Sequence, residues 1–154
     1  MAGHDDTGDR VQEAVTRVVR WASRPDVRVA LLGEAGRELS VNDVHLLRAV
    51  VAHGPVRVSE LAESQGVDKS TMSTQIRRLE KRDLVARRPD PADQRAVLLT
   101  ATARGRRLRE RMDAAGAALF DEHLRDWPAD DREALVTLLD RFSRQLTDGR
   151  GRPD

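Results

Sequence analysis

The chain has 154 residues, 39% apolar and 34% charged, with 27 basic against 26 acidic residues and no cysteine. That length suits one domain with a real core, and the apolar share excludes wholesale disorder. The absence of cysteine excludes disulfides, thiolate metal sites and thiol redox sensing within the chain, and no apolar run approaches the ~18 residues of a membrane span. The acidic start (His4, Asp5, Asp6, Asp9) is unlike a signal peptide, so a soluble cytoplasmic protein is expected.

Residues 1–9 and 147–154 are polar and expected to fray. Val11, Val15, Val18 and Ala22 form the apolar stripe of a first helix. Gly33 and Gly36 loosen the stretch that follows. Ser40-Val41-Asn42-Asp43 then resembles a capping box, and Val44, Leu47, Val50 and Val51 carry a second helix to a stop at Gly54-Pro55.

Two short helices joined by a glycine come next. Ser59-Glu60-Leu61-Ala62 opens the first, Gly66-Val67 makes the turn, and Asp68 caps the second with Thr71 at the third helical position. Met72, Ile76 and Leu79 share one face of that second helix. The opposite face carries Ser70, Thr74, Arg77 and Lys81, flanked by Ser73 and Arg78. Such a pair, basic and polar on its outer side, describes a helix-turn-helix.

After Asp83 the period changes to two. Leu84–Arg88 and Ala96–Thr100 are expected strands flanking Pro89-Asp90-Pro91-Ala92-Asp93, which reads as the loop of a hairpin, or wing. Thr102 caps a long helix with Leu108, Met112, Ala115 and Leu119 on one stripe, ending near Asp126. Beyond Pro128, Leu135, Leu138, Leu139, Phe142 and Leu146 mark a last amphipathic helix.

The net charge of +1 conceals a split. Residues 69–111 hold 13 basic and five acidic residues, giving +8, and the rest of the chain holds 14 and 21, giving −7. A basic segment of this kind can neutralise phosphates while the acidic remainder limits non-specific adhesion.

In this order, the motifs resemble the MarR family of winged-helix transcriptional regulators, from about Val11 to Leu146. Ser59-Glu60-Leu61-Ala62, Gly66-Val67 and Ser70-Thr71-Met72-Ser73 are similar to its helix-turn-helix core. Arg78 through Val85 is similar to the end of its recognition helix, and Asp90-Pro91-Ala92-Asp93-Gln94-Arg95 to its wing tip. Thr102 to Gly105 is similar to the entry into its long helix. Three positions depart from the pattern. Asp83 replaces a glycine, as a residue that tolerates the left-handed region; Ala101 replaces a leucine; Pro128 stands where a Ser or Thr cap is common.

The resemblance implies a mostly α protein with a small β-hairpin wing: a winged helix-turn-helix plus N- and C-terminal dimerisation helices. It implies one domain, with dimerisation helices in 10–39 and 112–146 and the winged helix-turn-helix and start of the linking helix in 40–111. The implied function is a homodimeric repressor of a pseudo-palindromic site in double-stranded DNA, released by a small aromatic or anionic effector. A winged-helix protein-interaction module without specific DNA binding is the alternative.

On the recognition helix, Ser70, Thr71, Ser73, Thr74 and Arg77 are candidates for the base edges, Arg78 and Lys81 for phosphates, and Lys69 for a further DNA contact. On the wing, Arg95 resembles the family's minor-groove arginine with Asp93 as its orienting partner, and Arg87 and Arg88 are further phosphate candidates. Arg17, Arg20, Trp21 and His45 lie on elements that could border an effector cleft, although no spacing makes them converge and each also reads as a surface or packing residue. Arg150-Gly151-Arg152-Pro153 has the spelling of an AT-hook but is only four residues long. His4, His45, His53 and His123 show no metal-ligand spacing, and no phosphate-binding glycine loop or nucleophile motif is present. No enzyme activity, metal or cofactor is expected.

Overall fold

In the computed structural model, which describes residues 6–148 apart from the side chains of residues 94, 95, 147 and 148, the elements run α1 (Thr7–Ala22), α2 (Pro25–Leu32), α3 (Ala35–Glu38), α4 (Val41–His53), β1 (Val56–Arg57), α5 (Val58–Gln65), α6 (Lys69–Lys81), β2 (Val85–Asp90), β3 (Asp93–Ala101), α7 (Ala103–His123) and α8 (Ala129–Asp148). None of these helices is long and apolar enough to cross a membrane. Two units are distinguished, Met1–Ala117 and Ala118–Asp154, and each is described by itself.

In the first unit the capping chemistry sets the helix starts. The Ser40 hydroxyl accepts the Asp43 N–H at 3.1 Å while the Asp43 carboxylate accepts the Ser40 N–H at 3.2 Å, the reciprocal box expected of α4. Asp68 caps α6 through the Thr71 N–H at 2.8 Å. The end of α6 is a Schellman motif: the Leu84 N–H reaches the Leu79 carbonyl at 3.0 Å and the Asp83 N–H reaches that of Glu80 at 2.9 Å. Asp83 takes φ +54° there, so the aspartate fills the left-handed position as expected. Leu79 and Leu84, both buried, supply the apolar contact that accompanies the motif.

The core lies among α4, α5, α6, the sheet and α7. It is built from Leu46, Leu47, Val50, Leu61, Met72, Ile76, Leu79, Leu84, Leu99 and Met112. The sheet is antiparallel in the order β1-β3-β2, with Val56 opposite Leu99 on one side of β3 and Val85 opposite Ala101 on the other.

Three features differ from expectation. The stretch before Ser40, read as loosened by Gly33 and Gly36, holds α2 and α3. Pro25 opens α2 at a position where its missing N–H costs nothing, and a Cβ on Gly36 would lie 2.5 Å from the Arg28 carbonyl oxygen. That glycine allows a close approach. Second, β1 adds a third strand. Third, the hairpin loop is shorter than Pro89–Asp93: the strands extend to Asp90 and from Asp93, with a register shift between Pro89 and Asp90. β2 is an edge strand, so Pro89 can sit in it without breaking a ladder on its outer side.

α1 has no buried residue, and Val11, Val15, Val18 and Val19 are 43–60% exposed. In the second unit α8 shows Val136, Leu138, Leu139, Phe142 and Leu146 at 39–59% exposure, with Leu135 half-buried.

Candidate nucleic-acid interface

Inward-facing apolar residues fix which side of α6 is free. Met72, Ile76 and Leu79 are buried, which turns Lys69, Ser70, Thr71, Thr74, Arg77, Arg78 and Lys81 to solvent, with Ser73 half-buried. The face the sequence assigned to bases is therefore presented as a continuous surface. Arg77 lies along the helix, its Nε donating to the Ser73 carbonyl at 3.3 Å and its Nη2 to the Thr74 hydroxyl at 3.5 Å. Among the described residues no acid pairs with it, so the guanidinium can be drawn off to a guanine edge or a phosphate.

Asp68 does more than cap. The Ser70 hydroxyl donates to its Oδ1 at 2.6 Å and the Thr71 hydroxyl to its Oδ2 at 2.7 Å. The Ser70 hydroxyl, the Thr71 N–H and the Thr71 hydroxyl together hold the Asp68 carboxyl well below the usual carboxylate range. Thr74 in turn donates to the Ser70 carbonyl at 3.1 Å.

Two candidate cations are engaged in ion pairs. Arg78 donates through Nε and Nη2 to Oδ1 of Asp43, at 3.1 and 2.9 Å, and Asp43 is only 4% exposed. This ties the recognition helix to the start of α4. Arg78 keeps 45% of its side chain in solvent, so a phosphate could still reach it. Arg87 donates to Glu80 at 2.9 Å, joining the wing strand to the end of α6. The +8 of the basic segment therefore overstates the charge free to meet a polyanion.

Successive strand residues face opposite ways. Arg88, next to Arg87, lines a cleft of about 560 Å³ together with Arg106, Ala86, Thr100, Val50 and Val51. Asp93 begins β3, and the side chain of Arg95 lies outside the described residues, as does the 150–153 tail.

Sequence reasoning missed the carboxylate that organises the wing. Asp90 is buried, accepts the Ala92 N–H at 2.9 Å through Oδ1, and takes Nη2 of Arg57 at 2.7 Å and its Nε at 3.2 Å on Oδ2. The Ala92 N–H, and then the Arg57 guanidinium, hold its carboxyl below the usual range. This contribution is complete above the ordinary carboxylate pKa and is lost as pH falls through the lowered value. Asp90→Asn is expected to speed hydrogen exchange of the Ala92 amide at pH 7 several-fold. Unchanged exchange would show that the charge does not hold the turn. Sequence spacing carried no sign of this pair, because its members stand 33 residues apart.

Gln75 was also missed. It is 4% exposed on α6, and its Oε1 has no partner among the described residues. It lines a polar hollow of about 340 Å³ with Asn42, Ser70, Thr71, Thr74 and Arg78.

The effector candidates are placed without convergence. Arg17 is exposed and paired with Glu13 at 2.7 Å, Arg20 is exposed in the last turn of α1, Trp21 is half-buried, and His45 is exposed on α4. None of the four lines either cavity described above.

Comparison with known proteins adds a family and relatives. The sequence pattern described as the MarR family matches residues 39–97. The uncharacterized HTH-type transcriptional regulator YxaD of Bacillus subtilis is 36% identical over 103 residues, covering 67% of this chain and 72% of that protein. The HTH-type transcriptional repressor NicR of Pseudomonas putida is 28% identical over 135 residues, covering 88% and 85%. Among solved structures, Streptococcus pneumoniae FabT in complex with DNA has a TM-score of 0.74 at 19% identity, covering 91% of this chain and 97% of that one. The last of these speaks to the fold.

Proposed function

The chain belongs to the MarR family of helix-turn-helix transcriptional regulators, which are not enzymes, and on that premise we propose that it is a homodimeric repressor. It reads a pseudo-palindromic operator in double-stranded DNA within the cytoplasm, with α6 in the major groove and the wing beside it. The observation that carries this reading is the outer face of α6, where hydroxyls and Arg77 stand free of the core while Met72, Ile76 and Leu79 anchor the helix behind them. Ser70, Thr71, Ser73, Thr74 and Arg77 face base edges, Lys69 makes a further DNA contact, and Lys81, with the exposed part of Arg78, meets phosphates.

Repression is in keeping with the repressor named among the relatives, and a DNA complex is known for one structural neighbour. Dimerisation is supported by the exposed apolar residues of α1 and α8, which a lone subunit leaves in water. The dimerisation segments are then 10–39 and 112–146, flanking the DNA-reading part at 40–111. Release by a small aromatic or anionic effector rests on family membership, with Arg17, Arg20, Trp21 and His45 as the candidate contacts.

Selection of binding sites from a random duplex library tests the reading. It should enrich a two-fold symmetric site with half-sites about one helical turn, roughly 10 base pairs, apart. Affinity for it should fall steeply with salt. Arg95→Ala should lower the magnitude of the log–log salt slope by about 1 per contacted site, with affinity reduced across sequences. No enriched site, or binding insensitive to salt, would favour a protein-interaction module instead.

A further inference from the structure

The hollow beside the N-terminal half of α6 is lined by Asn42, Gln75 and Arg78 and by three hydroxyls, those of Ser70, Thr71 and Thr74, whose protons are already committed. A hydroxyl has one proton to give and two lone pairs to offer. An ionised carboxylate has no proton, so the Ser70 and Thr71 hydroxyls, at 2.6 and 2.7 Å from Asp68, must spend theirs on it. Thr74 spends its own on the Ser70 carbonyl. Gln75 is buried behind them and lines the same hollow, and its Oε1 has no hydrogen-bond partner among the described residues.

We propose that the Ser70, Thr71 and Thr74 hydroxyls of this hollow, left with lone pairs to offer, read an exocyclic amino group, adenine N6 or cytosine N4, in the major groove, and that Asp68 is the positioning residue that sets their polarity. The inference rests on the DNA-reading role of α6 given above and names the bases that one part of the helix selects. In the major groove only adenine and cytosine present amino donors, whereas guanine and thymine present acceptors at the corresponding edges. Three hydroxyls able to rotate freely would tolerate either kind. Locked by Asp68 and by the Ser70 carbonyl, they repel guanine O6 and thymine O4. The carboxylate stays ionised throughout the physiological pH range, since its own hydrogen bonds hold its pKa down, so the polarity does not vary with pH. Arg77, one turn further on, has the opposite character as a pure donor.

The experiment compares binding-site selections for the full-length wild-type chain, Asp68→Asn and the double variant Ser70→Ala/Thr71→Ala. Asparagine still caps a helix, but its NH2 donates to one hydroxyl and frees that hydroxyl's proton. The wild type should prefer adenine or cytosine over guanine or thymine by about tenfold or more at one position of each half-site, as expected for a direct base contact. In Asp68→Asn that preference should fall to about threefold or less while the other positions keep theirs. The double variant should relax the same position. A merely structural cap would give a lower melting temperature and an unchanged motif, which overturns the proposal. So does a uniform rise in affinity for all sequences, the signature of one negative charge removed near the phosphates. A wild-type motif with no adenine or cytosine preference in common with these variants' relaxed position also overturns it. If the wild type enriches no site at all, the regulator reading itself has failed, and that result is separate from a motif that persists in Asp68→Asn.

Discussion

Gly105→Ala is expected to destabilise the protein by about 3 kcal/mol or more and to cost it operator binding. A Cβ at this position would fall on the Leu84 carbonyl oxygen, with the Leu84 carbonyl carbon at 3.0 Å and Leu47 Cδ1 at 3.3 Å. Two of those contacts are backbone, which cannot rotate away. The Leu84 carbonyl also accepts the Thr102 N–H at 3.1 Å, and the Thr102 hydroxyl donates to the Asp83 carbonyl at 2.6 Å while accepting the Gly105 N–H at 3.0 Å. The first turn of α7, the last turn of α6 and the root of the wing are thus joined at one place, and an added methyl group must force them apart. Urea denaturation should show a lower midpoint with little change in slope, and a melting temperature lower by roughly 6–12 °C for a chain of this length. A variant as stable as the wild type would mean that α7 does not pass this close to the wing root.

Asp43→Ala is the second large effect. One carboxylate both caps α4 through the Ser40 N–H and receives Nε and Nη2 of Arg78. Loss of the bond from the Ser40 N–H costs about 1 kcal/mol, while the Ser40 hydroxyl still caps the Asp43 N–H. Loss of the charge-assisted bonds adds about 1–2 kcal/mol, at the lower part of the usual range because Arg78 is half in solvent. The total is roughly 2–3 kcal/mol. A double-mutant cycle with Arg78→Ala separates the two parts, and a coupling energy of about 1 kcal/mol or more is expected. Strict additivity would show that the pair does not hold α6 against α4. Operator affinity should fall in Asp43→Ala even though the variant removes a negative charge, because the register of the recognition helix depends on this tie.

Local chemistry explains how much of the fold could be read in advance. Ser40, Asp68, Asp83 and Thr102 act on neighbours within a turn or two, and each does in the structure what its position in the sequence implied. The α6 stripe of Met72, Ile76 and Leu79 was equally legible, since a helical period needs only one segment. The misses are non-local. β1 is two residues long and exists because Val56 and Arg57 pair with Leu99 and Leu98, some forty residues on. The Asp43–Arg78 and Arg57–Asp90 pairs join residues 35 and 33 apart. The glycines at 33 and 36 were read as breakers, although Gly36 serves a close approach between helices. Pro89 and Asp90 were read as loop because a segment so rich in Pro and Asp reads as a turn, yet a sheet edge tolerates proline in a strand.

For the candidate interface, the residue types on α6 were legible and their hydrogen-bonding states were not. Ser70, Thr71 and Thr74 read from sequence as versatile groups, and the structure shows each with its proton already committed. Arg78 and Arg87 read as free cations and are each held by an acid. The segmental charge marks a region but not which of its arginines remain available. That distinction matters for salt dependence, where only charges released to phosphates count.

Whether the outer face of α6 reads bases is decided by Arg77→Ala on the selected operator. The expected result is a loss of about 1–3 kcal/mol in operator affinity, with preference erased at one base pair of each half-site and the others retained. The selected motif and its affinity would both remain those of the wild type if this face of the helix did not meet the bases.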